Sequence, residues 1–286
     1  MSMQAPSPLA TFRDLFIGTI VEDERDRLSP AVGYGLSLAE AAGAHVTILS
    51  SSWCLVGTDA WLQGTGDPGI GIVDRRLDAL ARAFAENAAG AAAQAGLVCT
   101  WETPCLPYPE VVHRLAAEAR LHDLTVLDLD PRSEVLSRET VEAALMASGR
   151  PVLAVPRTHP AFAGRRILVA WDGGLQAVRA ANEAMPLLRA AETVEIVSVG
   201  DADDLLTTVP GAEFARHLAR HGVAVTVSDL PQAGSIADTL RKHAVRVRAD
   251  LIAMGAYRHS RTRELVFGGV TRSLLMDAPV PLFLAH

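Results

Sequence analysis

Asp250-Leu-Ile-Ala-Met-Gly-Ala-Tyr-Arg-His-Ser-Arg-Thr-Arg-Glu-Leu-Val-Phe-Gly-Gly-Val-Thr-Arg-Ser-Leu-Leu275 is the stretch on which the fold turns. An apolar run, Leu251 to Met254, reads as a buried strand that ends at Gly255 and enters a polar segment. The pair Gly268-Gly269 then leads through Val270 and Thr271 into an apolar helical pattern. The first amides of a helix have no partner inside it, so a strand-to-helix turn of this kind offers N–H donors to an anion. At the carboxyl end of a parallel strand, this is where open α/β sheets hold their ligands. The stretch therefore points to an α/β fold and a phosphate-bearing ligand. Arg258, three residues after Gly255, stands where a second glycine would complete the pattern.

The rest of the chain repeats that order of segments twice. The first copy opens with the apolar run from Leu15 to Ile20 and a helical pattern through Ala42, followed by a strand from His45 to Leu49. Next come an Ala-rich helix from about Asp74 to Ala95, a strand from Leu97 to Trp101, and a helix from Val111 to Leu121. A strand from Leu124 to Leu129, a helix from Glu139 to Ala147 and a strand from Pro151 to Val155 close it.

The second copy runs from the strand beginning at Arg166 through a helix from Ala177 to Ala190, a strand from Val194 to Val199 and a helix from Asp204 to Arg220. It continues with a strand from Val223 to Val227, a helix from Ile236 to Val247, the strand from Leu251 to Met254, a helix from Leu265 to Met276 and a strand from Val280 to Leu284. Short β-branched runs alternating with helical runs predict βαβ units and a parallel sheet. Wholly apolar strands such as Ile167 to Ala170 fit a sheet covered on both faces.

The copies align best at their ends, where Asp123-Leu-Thr-Val-Leu answers Asp250-Leu-Ile-Ala-Met, and Pro151 answers Pro281. The division that follows is a tail over 1–12, a first domain over 13–156, a linker over 157–164 and a second domain over 165–286. The first copy also carries an insertion near Trp53 to Gly71, too rich in Gly and Asp to extend the sheet.

Composition bounds the partners. The chain has 286 residues, enough for two domains of ~150 residues each. A net charge of −7 argues against broad nucleic-acid binding, which needs a basic face. The local cluster Arg258, Arg261, Arg263 and Arg272 suits one small polyanion better. Three cysteines without a C-x-x-C pair fit a reduced, cytoplasmic compartment. The Pro/Ser-rich start reads as a loose tail and not a signal peptide, and no run approaches the ~18 apolar residues of a membrane span.

Two five-stranded α/β copies, an Asp after the first strand of the second copy and a glycine-spaced loop after its fourth strand together resemble the universal stress protein family in its tandem form, over nearly the whole chain. The resemblance implies two open sheets of order 3-2-1-4-5 with flanking helices, packed as a pseudo-dimer through their last strands, and an adenine nucleotide, ATP or AMP, as ligand. The nucleotide-binding pattern of the family, G-x-x-G-x9-G-[S/T], falls on Gly255, Arg258, Gly268 and Gly269, so its second and fourth positions depart.

Carried over residue by residue, Asp172 answers the nucleoside-contacting Asp, with Ala170 and Trp171 before it. Val199 lines the adenine side, and Met254 and Gly255 lie at the ribose and phosphates. Gly268, Gly269, Val270 and Thr271 supply amides and a hydroxyl. Arg258 either pairs with phosphate, fills the pocket or binds a neighbouring carboxylate. His259, Ser260 and Arg261 add donors or form a solvated loop. Trp171 is either a stacking wall for the base or apolar cover. In the first copy Ile20 answers Asp172, and Asp128-Leu-Asp130 answers Gly255-Ala-Tyr257. Carboxylates there repel phosphate, so the first copy reads as a structural partner.

Other patterns are weaker. Gly64, Gly66 and Gly69 form a literal G-x-G-x-x-G that contains Pro68 and follows no convincing strand. His217 and His221 are four apart on a helix but lack a third ligand, and no metal cluster is evident. Asp123 and Asp250 read as turn residues, and Ser235 as a helix cap. Three functions remain compatible: a cytoplasmic stress-response protein acting by small-ligand binding and protein contacts, an interaction scaffold without nucleotide, and, least favoured, a nucleotide hydrolase. A homodimer is compatible with each.

Overall fold

The structure, a computed structural model, describes residues 7–22, 29–54, 68–200, 210–257 and 269–286. In the first copy the order is β1 (Asp14–Val21), α1 (Pro30–Ala42), β2 (His45–Cys54), α2 (Pro68–Gln94), β3 (Cys99–Glu102), β4 (Cys105–Pro107), α3 (Glu110–Ala119), β5 (Leu124–Leu129), α4 (Glu134–Ser148) and β6 (Val152–Pro156). In the second it is β7 (Arg166–Ala170), α5 (Leu175–Glu183), α6 (Met185–Ala190), β8 (Thr193–Val199), α7 (Gly211–Arg220), β9 (Val225–Leu230), α8 (Ile236–Val247), β10 (Leu251–Gly255), α9 (Gly269–Met276) and β11 (Leu282–Ala285).

The strands form one continuous sheet in the order β3-β2-β1-β5-β6-β11-β10-β7-β8-β9, with β4 paired to β2 beyond β3. Each copy thus has the expected 3-2-1-4-5 order, and within a copy the described pairings are parallel. The copies join antiparallel through their last strands, with Leu282 opposite Ala154 and Leu284 opposite Val152. A bare apolar edge attracts another strand, and here each edge satisfies the other. Pro151 and Pro281 sit just before those strands, where their missing N–H groups cost nothing. Their carbonyls accept from the adjoining fourth strands, from Thr125 and Ile252 at 3.2 and 3.0 Å.

Alternation along the strands sends Leu15, Ile17, Ile167, Val169 and Phe283 to one face, under α1, α2, α5, α6 and α7. Phe16, Leu127, Leu168, Ile252 and Leu282 go to the other, under α3, α4, α8 and α9. Both layers of core run unbroken across the seam between the copies. The repeat is kept at atomic detail: the Asp123 carboxylate accepts the N–H groups of Arg13 and Asp14 at 2.8 and 3.1 Å, and Asp250 accepts those of Arg165 and Arg166 at 2.9 and 2.8 Å. These are structural turn locks.

Several elements differ from the sequence reading. The predicted helix from Ala177 to Ala190 is two helices meeting at Ala184, because Pro186 lies in the first turn of the second. α2 starts at Pro68, well before Asp74. α4 starts at Glu134, five residues before the predicted Glu139, after a 3-10 turn at Pro131–Ser133. The short strand β4 was not anticipated, since three residues carry no period to read. α7 is described from Gly211 and α9 from Gly269; the predicted helix starts at Asp204 and Leu265 lie outside the described residues.

Candidate nucleotide cleft

The second copy has a cleft of about 260 Å3 at the carboxyl ends of β7, β8 and β10. Ala170, Trp171 and Asp172 form its floor, Val197 and Val199 the β8 side, and Met254, Gly255 and Tyr257 the β10 side. Gly269, Val270 and Thr271, the first turn of α9, close one end. The predicted residues Ala170, Trp171, Asp172, Val199, Met254, Gly255, Gly269, Val270 and Thr271 are therefore brought together. Arg258, His259, Ser260, Arg261 and Gly268 lie outside the described residues, as do Gly64 and Gly66 of the literal glycine motif, while Gly69 falls in α2.

Glycine at 255 is dictated by contact with the neighbouring helix. A Cβ there would lie 2.5 Å from the Gln176 carbonyl carbon and 2.6 Å from the Ala177 nitrogen, so only glycine lets the start of α5 close over β10. Asp172 is exposed, and its Oδ1 accepts the Gly174 N–H at 2.8 Å, an Asx turn that feeds α5. The N-cap of α5, Gly174, supplies no side-chain acceptor. Thr271 is buried and lines the cleft.

Trp171 resolves in favour of apolar cover. Its ring stacks on Phe214 of α7 at 4.3 Å and 17° and belongs to the core on the opposite face of the sheet from Met254, so it borders the cleft without presenting a free stacking face. Sequence reasoning missed Ile236 and Leu240, one turn apart on α8, and Gln176 and Ala177 at the start of α5, all of which line the cleft. Their signal is only the apolar stripe of a helix, which core packing produces equally well.

The same place in the first copy is filled from within. Counting from the matched locks at Asp123 and Asp250, Asp128 is the counterpart of Gly255. Its carboxylate accepts Ser29 Oγ at 2.5 Å and the Ala31 N–H at 2.9 Å, capping the helix that corresponds to α5. Burial pushes this carboxyl up to about 6, against the two hydrogen bonds that hold it down. Asp130 pairs with Arg157 at 2.7 Å, and Ser133 donates to Glu22. What remains is about 60 Å3 bordered by Gly18, Ile20, Asp128 and Asp130. A carboxylate of the protein itself thus occupies the N-terminus of α1, the counterpart of α5, and narrows the place that stays open in the second copy.

Among the described residues no group of three or more His, Cys, Asp and Glu side chains could hold a metal. His217 and His221 meet edge to face at 4.6 Å. No helix among the described residues is long and apolar enough to cross a membrane.

Comparison with known proteins is consistent with this architecture. The model of the universal stress protein family matches residues 164–286. Among solved structures, a universal stress protein from Archaeoglobus fulgidus DSM 4304 is similar over 95% of this chain and 95% of its own, with TM-score 0.68 and 16% identity. A functionally unknown protein from Pseudomonas aeruginosa PAO1 is similar over 97% of this chain and 93% of its own, with TM-score 0.57 and 12% identity. At these identities the likeness speaks for the fold of both copies. No curated protein matches the chain significantly.

Proposed function

We propose, from the premise that residues 164–286 are a universal stress protein domain, that the chain is a cytoplasmic stress-response protein. In this reading its second copy binds an adenine nucleotide and its first copy serves as the structural and signalling partner. The observation that carries the reading is the contrast between the copies: Gly255 leaves the start of α5 close to an open cleft, whereas its counterpart Asp128 caps α1 and fills the equivalent place. In the second copy, Val199, Ile236 and Leu240 offer an apolar wall for a base. Asp172 stands at the ribose side as an acceptor for hydroxyls, and the first-turn amides of α9 face the phosphates. The arginines at 258 and 261 supply positive charge in the sequence between Gly255 and Gly269.

The chemistry is binding. The cleft is lined mainly by apolar side chains and closed by the first turn of α9, which favours ligand-dependent protein contact over hydrolysis. Titration calorimetry with ATP and with AMP on the wild type and Asp172→Ala tests the assignment. Binding by the wild type that weakens by about tenfold in the variant supports it, the loss expected for a charge-assisted hydrogen bond. Equal binding by both proteins overturns the role of Asp172. Absence of binding by the wild type leaves the scaffold reading.

A further inference from the structure

The antiparallel seam brings a helix of the first copy against the cleft of the second. Tyr257 follows β10 directly, lines the cleft, is 3% exposed and has φ 58°. A left-handed backbone is strained for an aromatic residue and persists only where the surroundings enforce it. Its hydroxyl donates to Glu142 Oε1 at 3.0 Å, and Glu142 lies on α4 of the first copy. Arg138 Nε, one turn earlier on α4, is 3.5 Å from the same oxygen, and the charge of Arg272 on α9 also acts on Glu142. The acceptor is therefore held from both copies. Burial first, and the Glu142 charge second, keep the Tyr257 hydroxyl protonated, so it stays a donor at any ordinary pH.

The two copies supply an internal comparison. The counterpart of Tyr257 is Asp130, which faces the end of α9 across the same seam. Asp130 turns to Arg157 at 2.7 Å, and a cleft of about 200 Å3 stays open between it and Leu275, Met276, Asp277 and Ala278. The tyrosine–carboxylate contact lies on the side with the open nucleotide cleft, whereas on the side that Asp128 narrows the counterpart position is an aspartate paired with Arg157.

We propose that Glu142 of the first copy is a positioning residue for the ligand cleft of the second: it fixes Tyr257 in its left-handed conformation and thereby sets the wall that Tyr257 presents to the cleft at the end of β10. The proposal rests on the nucleotide reading and adds that the first copy, whose equivalent place is narrowed to about 60 Å3, tunes the affinity of the second through α4.

The test uses the full chain and two readouts. The first is amide hydrogen exchange without ligand: Glu142→Ala and Tyr257→Phe should speed exchange at Ala256, Tyr257 and the first turn of α9 by about tenfold or more, as expected for loss of one buried hydrogen bond. Glu142→Gln, whose amide oxygen still accepts from Tyr257, should restore wild-type rates. The second is calorimetry with ATP, in which the same two variants should lose about tenfold in affinity. The double variant should lose no more than either single one, and Glu142→Gln should stay within about twofold of the wild type. Unchanged exchange in a folded Glu142→Ala, or a Glu142→Gln no better than Glu142→Ala, overturns the proposal. If the wild type binds no ATP, the nucleotide reading fails while the exchange arm still decides the role of Glu142.

Discussion

Gly255→Ala is the sharpest probe of the cleft's construction. The added Cβ would sit 2.5 Å from the Gln176 carbonyl carbon and 2.6 Å from the Ala177 nitrogen, both of them main-chain atoms of α5. Carbon atoms rest about 3.5–4.0 Å apart, so α5 and the end of β10 must separate by about 1 Å. No rotamer change can relieve the contact, since neither atom belongs to a side chain. Overpacking of this kind costs about 1–3 kcal/mol, or a fall in Tm of roughly 2–5 °C at this chain length. Because α5 starts beside the cleft, nucleotide affinity should fall with stability.

The matched control is Gly90→Ala in α2, where a Cβ meets nothing within 4 Å and alanine should add about 0.8–1 kcal/mol of helix stability. Thermal unfolding of both variants beside the wild type reads the difference. If Gly255→Ala matches or exceeds the wild type in Tm, the close approach of α5 to β10 is not what selects glycine here, and the contrast with Asp128 loses its basis.

The other predictions concern the filled site, the turn locks and the seam. Asp128 has a folded pKa of about 6, above the usual 3.8. The proton therefore binds the folded state more tightly, and its loss destabilises the fold progressively from about pH 4 to 6, by on the order of 2–3 kcal/mol at neutral pH. Asp128→Asn should thus gain on the wild type as pH rises through that window and hold a constant lead above it; a difference that does not vary with pH in urea unfolding refutes this. Asp123→Ala and Asp250→Ala each strip the acceptor from two backbone N–H groups at equivalent turns. Both should cost about 1–3 kcal/mol and by similar amounts in chemical denaturation, unequal costs arguing against equivalence of the copies. Since both core layers cross the seam, calorimetry should show one unfolding transition for the whole chain. Phe283→Ala, at a fully buried position, should lower it as a unit by about 3–5 kcal/mol, whereas two separated transitions would show that the copies unfold independently.

Local physics makes much of this protein legible in its sequence. The period of apolar residues names the strands from Leu15, Leu124, Arg166 and Leu251, because a strand covered on both faces must be apolar throughout. The repeat of Asp123 in Asp250 and of Pro151 in Pro281 was legible because each turn needs the same acceptor and each seam strand the same N–H-free entry. Ser235 was readable as a cap, its side chain accepting the Asp238 N–H at 3.0 Å. The cluster of Asp172, Val199, Gly255 and Thr271 was reached through resemblance to a family and the order of the strands, which carries residues far apart in sequence to one sheet end.

Tertiary structure alone decided the rest. The sequence allows Trp171 to face base or core, and the ring of Phe214 stacked on it in the tertiary structure places it in the core. Asp128 read only as a repelling charge until Ser29 and Ala31 showed it to be a helix cap. The contact between Tyr257 and Glu142 joins residues of different copies. Sequence periodicity reports which face of its own element a residue occupies, but not which element arrives opposite; that choice belongs to the pairing of β6 with β11, which sets α4 of one copy beside the cleft of the other.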